Sequence, residues 1–309
     1  MSDVQLTARV RRTQRNSSEV AVSIIVENRS AWNTMGAVDL PTLCQQAELL
    51  NRVDRKYIVN QGVLDQLGAY LDSAQARILE IGGQREFLYI SDYFDTPALK
   101  LYYDAATGRR RRFKLRTRVY ADSGDHFLEL KTRGSRGHNV KDRLALEPIP
   151  ADLFARAAQG AVRTLPLRAN RLALEWVHTV LADRAVAVNP GLLTDLAPVL
   201  RSVYRRSTVL TSDGSRLTID TGLRLTPFPG AVDPAMVLRK NTLEMPTIIE
   251  TKSSGRASQA DRFLWSVGVR PRAISKFAYG IATAYGVPAN KWSRTLRAIR
   301  EANTKWSDR

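Results

Sequence analysis

The chain has 309 residues, of which 44% are apolar, enough for a sizeable core in one large domain or two small ones and too many for a disordered polymer. It contains no run of about 18 apolar residues to cross a membrane as a helix, and its single Cys44 excludes an internal disulfide or a cysteine-built zinc site. Forty-seven Lys and Arg against 30 Asp and Glu leave a formal net charge of +17, which draws polyanions: nucleic acid, acidic headgroups, nucleotides or polyphosphate.

Residues 1–35 read as a polar, poorly ordered lead. Its apolar stretch Val20–Val26 is too short and wrongly flanked for a signal peptide. With one cysteine, a reducing cytoplasm is the simplest location. A helix is expected from Pro41 to about Asn51, capped by Asp39, with Leu43, Ala47 and Leu50 at helical spacing. The main domain is expected over 36–288. Its strands are Arg52–Val59, Phe87–Asp95, Arg110–Tyr120, Phe127–Lys131, Val140–Leu146, Pro198–Leu210, Arg216–Thr221 and Thr247–Lys252. Its helices are Gln61–Leu71, Pro150–Ala158, Asn170–Ala182, Gln259–Val267 and Lys276–Tyr285. Pro227–Pro246 has loop composition. The segment 289–309 is a basic tail able to form a terminal helix. The fold class is therefore α+β.

Several strands carry charge at alternate positions. Side chains alternate across a strand, so Arg110, Arg112, Lys114, Arg116 and Arg118 project from one face, opposite Phe113, Leu115, Thr117 and Val119. Taken alone, a solvated edge strand would look the same. The pattern recurs, however. Arg52, Asp54 and Lys56 share a face, as do Glu129 and Lys131, Lys141 and Arg143, Arg216 and Asp220, and Glu250 and Lys252. Unrelated edge strands need no such agreement. If these faces converge, with Arg206 and Lys276 added, they line a polar cavity of a barrel-like antiparallel sheet with helices packed outside. Such a cavity has a large cationic surplus and should hold a ligand of several negative charges. Arg supplies forked donors for phosphate oxygens and Lys a compact charge. The interspersed carboxylates suit Mg2+ or Mn2+ bridging phosphates.

These segments resemble a known family. Arg52-Val-Asp-Arg-Lys-Tyr-Ile-Val59, Tyr93-Phe-Asp-Thr96, Lys114-Leu-Arg-Thr-Arg-Val-Tyr120 and Leu128-Glu-Leu-Lys131 look like the VTC domain. So do Tyr204-Arg-Arg206, Leu217-Thr-Ile-Asp220, Ile249-Glu-Thr-Lys252 and Ser275-Lys-Phe277. VTC domains belong to the triphosphate tunnel metalloenzymes, together with the CYTH group. The resemblance covers roughly Leu50 to Tyr285. It implies an antiparallel tunnel, a bound triphosphate or polyphosphate, and a divalent metal. It also implies polymerisation of phosphate from ATP, the activity of the eukaryotic members.

Carried over by motif, Lys56, Arg116, Arg118, Lys131, Arg206 and Lys252 would act on the reacting phosphates. Arg52, Lys114, Lys141, Arg143, Arg216, Ser275 and Lys276 would hold the rest of the chain. Glu250 would bind the metal, with Glu129 and Asp220 as further candidates. Arg206 is preferred over Arg205 by the Tyr-x-Arg spacing. Hydrolytic CYTH members open with Glu-x-Glu-x-Lys; here Arg52-x-Asp54-x-Lys56 replaces one acid by a cation, which agrees better with the VTC branch. No regulatory domain or membrane anchor of the eukaryotic kind is read beside the tunnel region.

Other chemistries fit poorly. No Gly-x-x-x-x-Gly-Lys-Ser/Thr loop occurs. The Gly134–Gly137 segment reads as a hairpin turn. His126, His138 and His178 are scattered and build no triad. Cys44 sits on a helix and reads as inert. Tyr93, Phe94, Trp265, Tyr102 and Tyr103 read as packing residues, and Asp95 and Thr96 as caps of a turn before Pro97. The expected partners are ATP, inorganic polyphosphate and orthophosphate, with no specific nucleic acid. The rival readings are a triphosphatase, or another nucleotide-processing tunnel enzyme, and a non-catalytic binder of polyphosphate or RNA.

Overall fold

The computed structural model describes residues 31–46, 53–134, 139–148 and 164–307. Arg52, His138, the helix expected at Pro150–Ala158 and residues 135–137 of the glycine-rich segment lie outside them. The strands are β1 Gly36–Val38, β2 Val53–Val59, β3 Arg77–Leu79, β4 Phe87–Asp95, β5 Phe113–Tyr120, β6 His126–Arg133, β7 Asn139–Leu146, β8 Ala197–Leu210, β9 Arg216–Pro227, β10 Leu243–Met245 and β11 Thr247–Ser253. They form one 11-stranded sheet whose main path runs β2-β11-β9-β8-β4-β5-β6-β7. Every ladder is antiparallel except β1 with β3.

The expected barrel is not closed by pairing: among the described residues no ladder joins β2 to β7. The sheet nevertheless curls. Lys131 on β6 lies six strand spacings from Lys56 on β2, about 29 Å if the sheet were flat. Yet after burial itself, Lys56 is the group that most depresses the Lys131 ammonium. β2 and β6, six places apart on the path, are therefore brought near each other across a concave surface.

Helices cover the convex side because the strands alternate. Tyr57, Val59, Ile249, Leu217 and Ile219 form one core with α1 Gln61–Ser73 and α2 Gln259–Ser266 through Leu64, Leu67, Leu71 and Leu264. Phe94, Phe113, Leu115, Leu128 and Leu130 form another with α3 Arg171–Asp183 through Ala173, Val177 and Leu181. Each fully buried chain of this kind contributes about 1.5–3 kcal/mol. Asn60 and Asn170 cap α1 and α3 by accepting backbone N–H bonds at 2.9 Å, and Ser258 caps α2 with a reciprocal bond from Asp261.

One helix enters the concave side. In α4, Lys276–Tyr285, Phe277, Ala278 and Ile281 pack on Tyr93, Leu200, Tyr204 and Ile248. The approach is close: a Cβ on Gly280 would stand 2.4 Å from a Leu200 methyl. The basic tail continues this core as α5 Ser293–Ser307, with Trp292, Leu296 and Ile299 buried. No helix among the described residues is long and apolar enough to cross a membrane.

Two expectations need correction. The lead was placed at 1–35, but Ala31–Thr34 is helical and Met35 fully buried, with the Arg85 guanidinium donating to the carbonyls of Trp32, Asn33 and Met35 at 2.9–3.0 Å. The strand expected from Arg110 starts at Phe113. Gly108, at φ +75°, ends the preceding helix, Arg109–Arg111 make an exposed turn, and Arg112 folds back to donate to the Gly108 and Arg109 carbonyls. The five-cation ladder is therefore three cations, Lys114, Arg116 and Arg118.

Candidate functional site

Register carries one face through all eight strands of the path. Lys56 on β2 stands opposite Glu250 on β11, and Lys252 stands between Asp54 and Arg216. Asp220 on β9 pairs with Arg206 on β8. Residues Tyr89, Ser91 and Tyr93 of β4 lead across to Tyr120, Arg118 and Arg116 of β5. Arg116 faces Glu129 and Lys114 faces Lys131 on β6, and these face Arg143 and Lys141 on β7. Of the residues expected to converge, every described one lies on this face or on α4 except Arg110 and Arg112, which fall in the turn before β5.

Three carboxylates act as nodes. Glu129, 2% exposed, accepts from Arg116 Nε and Arg143 Nε, each at 2.8 Å, with Lys141 at 3.7 Å and Arg118 at 3.9 Å. Asp220 accepts from Arg206 Nε at 2.6 Å and Nη2 at 2.8 Å, and from Lys276 Nζ. Glu250 Oε1 meets Lys56 at 3.1 Å and Lys252 at 3.2 Å. Burial alone would raise these carboxyls. Instead Arg116 and Arg118 hold Glu129, Arg206 and Lys276 hold Asp220, and Lys252 and Lys56 hold Glu250 well below the usual carboxylate range.

The cations outnumber these partners. Burial, reinforced by Lys131 and Arg112, pushes the Lys114 ammonium down to about 8. Burial also takes Lys252 and Lys141 to about 8, against the pull of Glu250 and Glu129. An ammonium depressed by like neighbours gains from any anion placed among them. The α4 N-terminus adds to this field. There Ser275 caps the helix by accepting from the Ala278 N–H at 3.3 Å, and Lys114 Nζ reaches the same Oγ at 3.2 Å. Ser275 and Lys276 thus tie β5 to β9 across the concavity.

The structure adds residues that sequence reasoning did not place in the site. Ser91 Oγ and Tyr204 OH both accept from Arg118, at 3.2 and 3.1 Å. Tyr93 packs on Phe277, as expected of a packing residue, but its hydroxyl also meets Arg116 at 3.4 Å. The signal was period two in β4, hidden because that strand carries no cation and is buried on both faces from Ile90 onward. Arg206 and not Arg205 faces inward, because it shares strand parity with Tyr204, as the Tyr-x-Arg spacing expects; β8 stays in register with β4 here, and the extra residue of the β8–β9 bulge lies in β9, where Val203 pairs with Arg224 but Arg205 with Thr221.

The donor set tests the metal expectation. Among the described residues no three His, Cys, Asp or Glu side chains gather. Both Glu129 oxygens are taken by arginines and both Asp220 oxygens by Arg206, so neither fits as a ligand without breaking its ion pairs. Both lysines meet Glu250 through Oε1, so Oε2 can face an ion. Glu250 fits as the single carboxylate of a Mg2+ or Mn2+ completed by phosphate oxygens and water.

A face of this kind, with cations on seven of its eight strands, agrees with the family comparison: the model of the VTC domain matches residues 51–285. The chain belongs to the VTC domain family. The match spans every strand from β2 to β11 and ends at the last residue of α4, so the whole site lies inside the VTC domain. No curated protein matches the sequence. Similar solved structures include a putative adenylyl cyclase from Hippeastrum described as having a dominant triphosphatase activity, at 19% identity and TM-score 0.43, covering 77% of this chain and 99% of that one. A Pyrococcus horikoshii protein matches at 11% identity and TM-score 0.39, covering 75% and 96%. An inorganic triphosphatase matches at 11% identity and TM-score 0.24, covering 69% and 79%.

Proposed function

We propose that this VTC domain is a polyphosphate polymerase: it transfers the terminal phosphoryl group of ATP to a polyphosphate chain and releases ADP. The observation that carries this reading is the face from Lys56 to Arg143, cationic on both sides of β4 and too long and too highly charged for a single phosphate. Family membership supports the same reading.

Phosphoryl transfer asks a protein mainly to position and neutralise. Arg116, Arg118 and Arg206 offer forked donors to the triphosphate, and Lys56, Lys131, Lys252 and Lys276 compact charges. Lys114, Lys141, Arg216 and Ser275 hold the remaining length of chain, Arg143 ends the cationic run beside Glu129, and Arg52 would extend the set beyond the described residues. A Mg2+ or Mn2+ held by Glu250 would neutralise phosphate oxygens when bound. A terminal oxygen of polyphosphate or orthophosphate forms the new bond to the γ-phosphorus. The bond from that phosphorus to the β-bridging oxygen breaks, and its electron pair leaves with ADP.

The attacking oxygen is already anionic, so no general base is required. Hydrolysis would need one to position water. Glu129, the best candidate in the sequence, is caged by four cations and is a weak base there. The test is incubation of the pure protein with ATP and Mn2+, measuring ADP, free phosphate and long-chain polyphosphate together. Stoichiometric ADP and polyphosphate support the proposal. ADP and free phosphate alone would replace it with a triphosphatase, and no turnover with tight polyphosphate binding would replace it with a binder.

A further inference from the structure

Aromatic rings continue along the concave face beyond the arginines. Tyr93 stacks on Phe277 of α4, and Tyr89 stands four residues along the same strand from it. Tyr89 meets Tyr120 edge-on at 4.9 Å, and Tyr120 meets Phe127 edge-on at 5.8 Å. Tyr120 and Phe127 differ from every other ring on this face in one respect. They join none of the four apolar cores, and both are only half-buried. Their companion is Arg143, whose guanidinium carbon lies 6.0 Å from the Tyr120 ring centre and 5.2 Å from that of Phe127. Arg143 Nη2 also donates to the Tyr120 hydroxyl at 2.9 Å.

Two half-exposed rings beside a flat cation, on a surface otherwise built for anions, suit a ligand that is anionic at one end and planar at the other. Polyphosphate has no planar part; a nucleotide does. The spacing agrees. From Arg116 to Tyr120 along β5 is four residues, about 13 Å. Phe127 pairs across from Arg118, so a nucleoside triphosphate with its terminal phosphate at Arg116 and its inner phosphates along Arg118 brings its base within reach of Phe127 and Tyr120. Rings of this kind hold bases by their π-faces, with Arg stacking as a supplement.

We infer that Tyr120, Phe127 and Arg143 form the docking site for the nucleobase of the phosphate donor. This inference rests on the reading that a nucleoside triphosphate occupies the face. It adds a reason for a nucleotide, and not a bare polyphosphate, to be the donor.

The test compares two ligands on the full chain by calorimetry in Mn2+ buffer: the β,γ-imido analogue of ATP and inorganic tripolyphosphate. Phe127→Ala should weaken the ATP analogue about tenfold, the scale of one lost base-stacking contact, and leave tripolyphosphate within about twofold. Phe127→Trp should restore the nucleotide. Phe127→Leu keeps apolar bulk without a π-face, guards against poor folding of the alanine variant, and should resemble it. If the alanine and leucine variants lose both ligands equally, or neither, the rings merely support Arg143 and the inference is overturned. The parent reading fails differently. If the unaltered protein binds the nucleotide with the expected discrimination but makes no polyphosphate, the base site stands and the polymerase proposal falls. If the unaltered protein binds neither ligand, both fall.

Discussion

Arg206 grips Asp220 through two parallel hydrogen bonds, Nε to Oδ1 at 2.6 Å and Nη2 to Oδ2 at 2.8 Å, and Lys276 closes on the same carboxylate from α4. The carboxylate is buried, so its removal leaves two cations facing each other in a low-dielectric setting. Asp220→Asn should therefore cost about 3–5 kcal/mol of folding stability. Tripolyphosphate, by replacing the missing charge, should recover more melting temperature in the variant than in the parent protein. Thermal unfolding with and without the ligand measures this; equal ligand shifts in both proteins would show that Arg206 and Lys276 do not meet the anion.

Strand parity separates arginines that composition cannot. Arg116 and Arg118 lie on the inner face, and Arg109 and Arg111 in an exposed turn. Arg116→Ala/Arg118→Ala should weaken tripolyphosphate binding by about 10²-fold or more, as expected for truncated buried charges. Arg109→Ala/Arg111→Ala should change it by no more than about twofold and alter only the salt-sensitive surface attraction. Matching losses in the two doubles, measured by titration after a folding check, would reduce the face to an undifferentiated basic patch.

Lysines depressed to about 8 give two pH effects of opposite sign. The unfolded chain keeps its lysines protonated up to about 10.4. Between about 8 and that value it binds more protons than the folded protein, so the contribution of Lys114, Lys141 and Lys252 to ligand-free stability rises with pH. Anion binding needs the ammonium forms, so affinity for tripolyphosphate should fall over the same interval. Parallel melting and titration series between pH 7 and 9.5 read both slopes. Affinity that is flat across the interval would exclude these lysines from the contact set.

Gly280 lets α4 lie against β8. Gly280→Ala drives a methyl into Leu200, which is fully buried, and should cost about 1–3 kcal/mol by overpacking. Combining it with Leu200→Ala should cost less than the sum of the two changes, because each relieves the other. Chemical denaturation of the four proteins completes the cycle; strict additivity would mean that the helix shifts away instead.

Much of this was legible in residues. Charges at alternate positions of β5, β6, β9 and β11 predicted which faces converge, because a strand offers only two. Lys276–Tyr285 has the bounds expected of it; Ser275 caps one end and Gly286 takes a left-handed φ of +66° at the other. The limits were equally physical. Arg110 and Arg112 continue the cationic alternation perfectly, yet the chain must turn there to leave the preceding helix, and a turn has no period to read. Tyr93 and Ser91 were invisible as site residues because β4 is buried on both faces. Asp220 and Glu129 looked like metal ligands in a one-dimensional pattern, and only the cross-strand partners show that arginines already occupy their oxygens.

The unpaired seam between β2 and β7 changes how a long polymer can reach the site. A barrel closed by hydrogen bonds has a fixed circumference and must be threaded from an end. Here the borders of the groove carry Lys56 on one side and Lys131 and Lys141 on the other, and among the described residues no ladder joins them. Such a groove can be loaded sideways, so a strand of phosphates whose ends are blocked can still be captured from its middle. An anion bound between Lys56 and Lys131 would lessen the repulsion between those two ammonium groups. Spin labels on exposed positions of β2 and β7 should draw together when end-blocked polyphosphate is added, and unchanged separation with bound ligand would mean that threading is the only route.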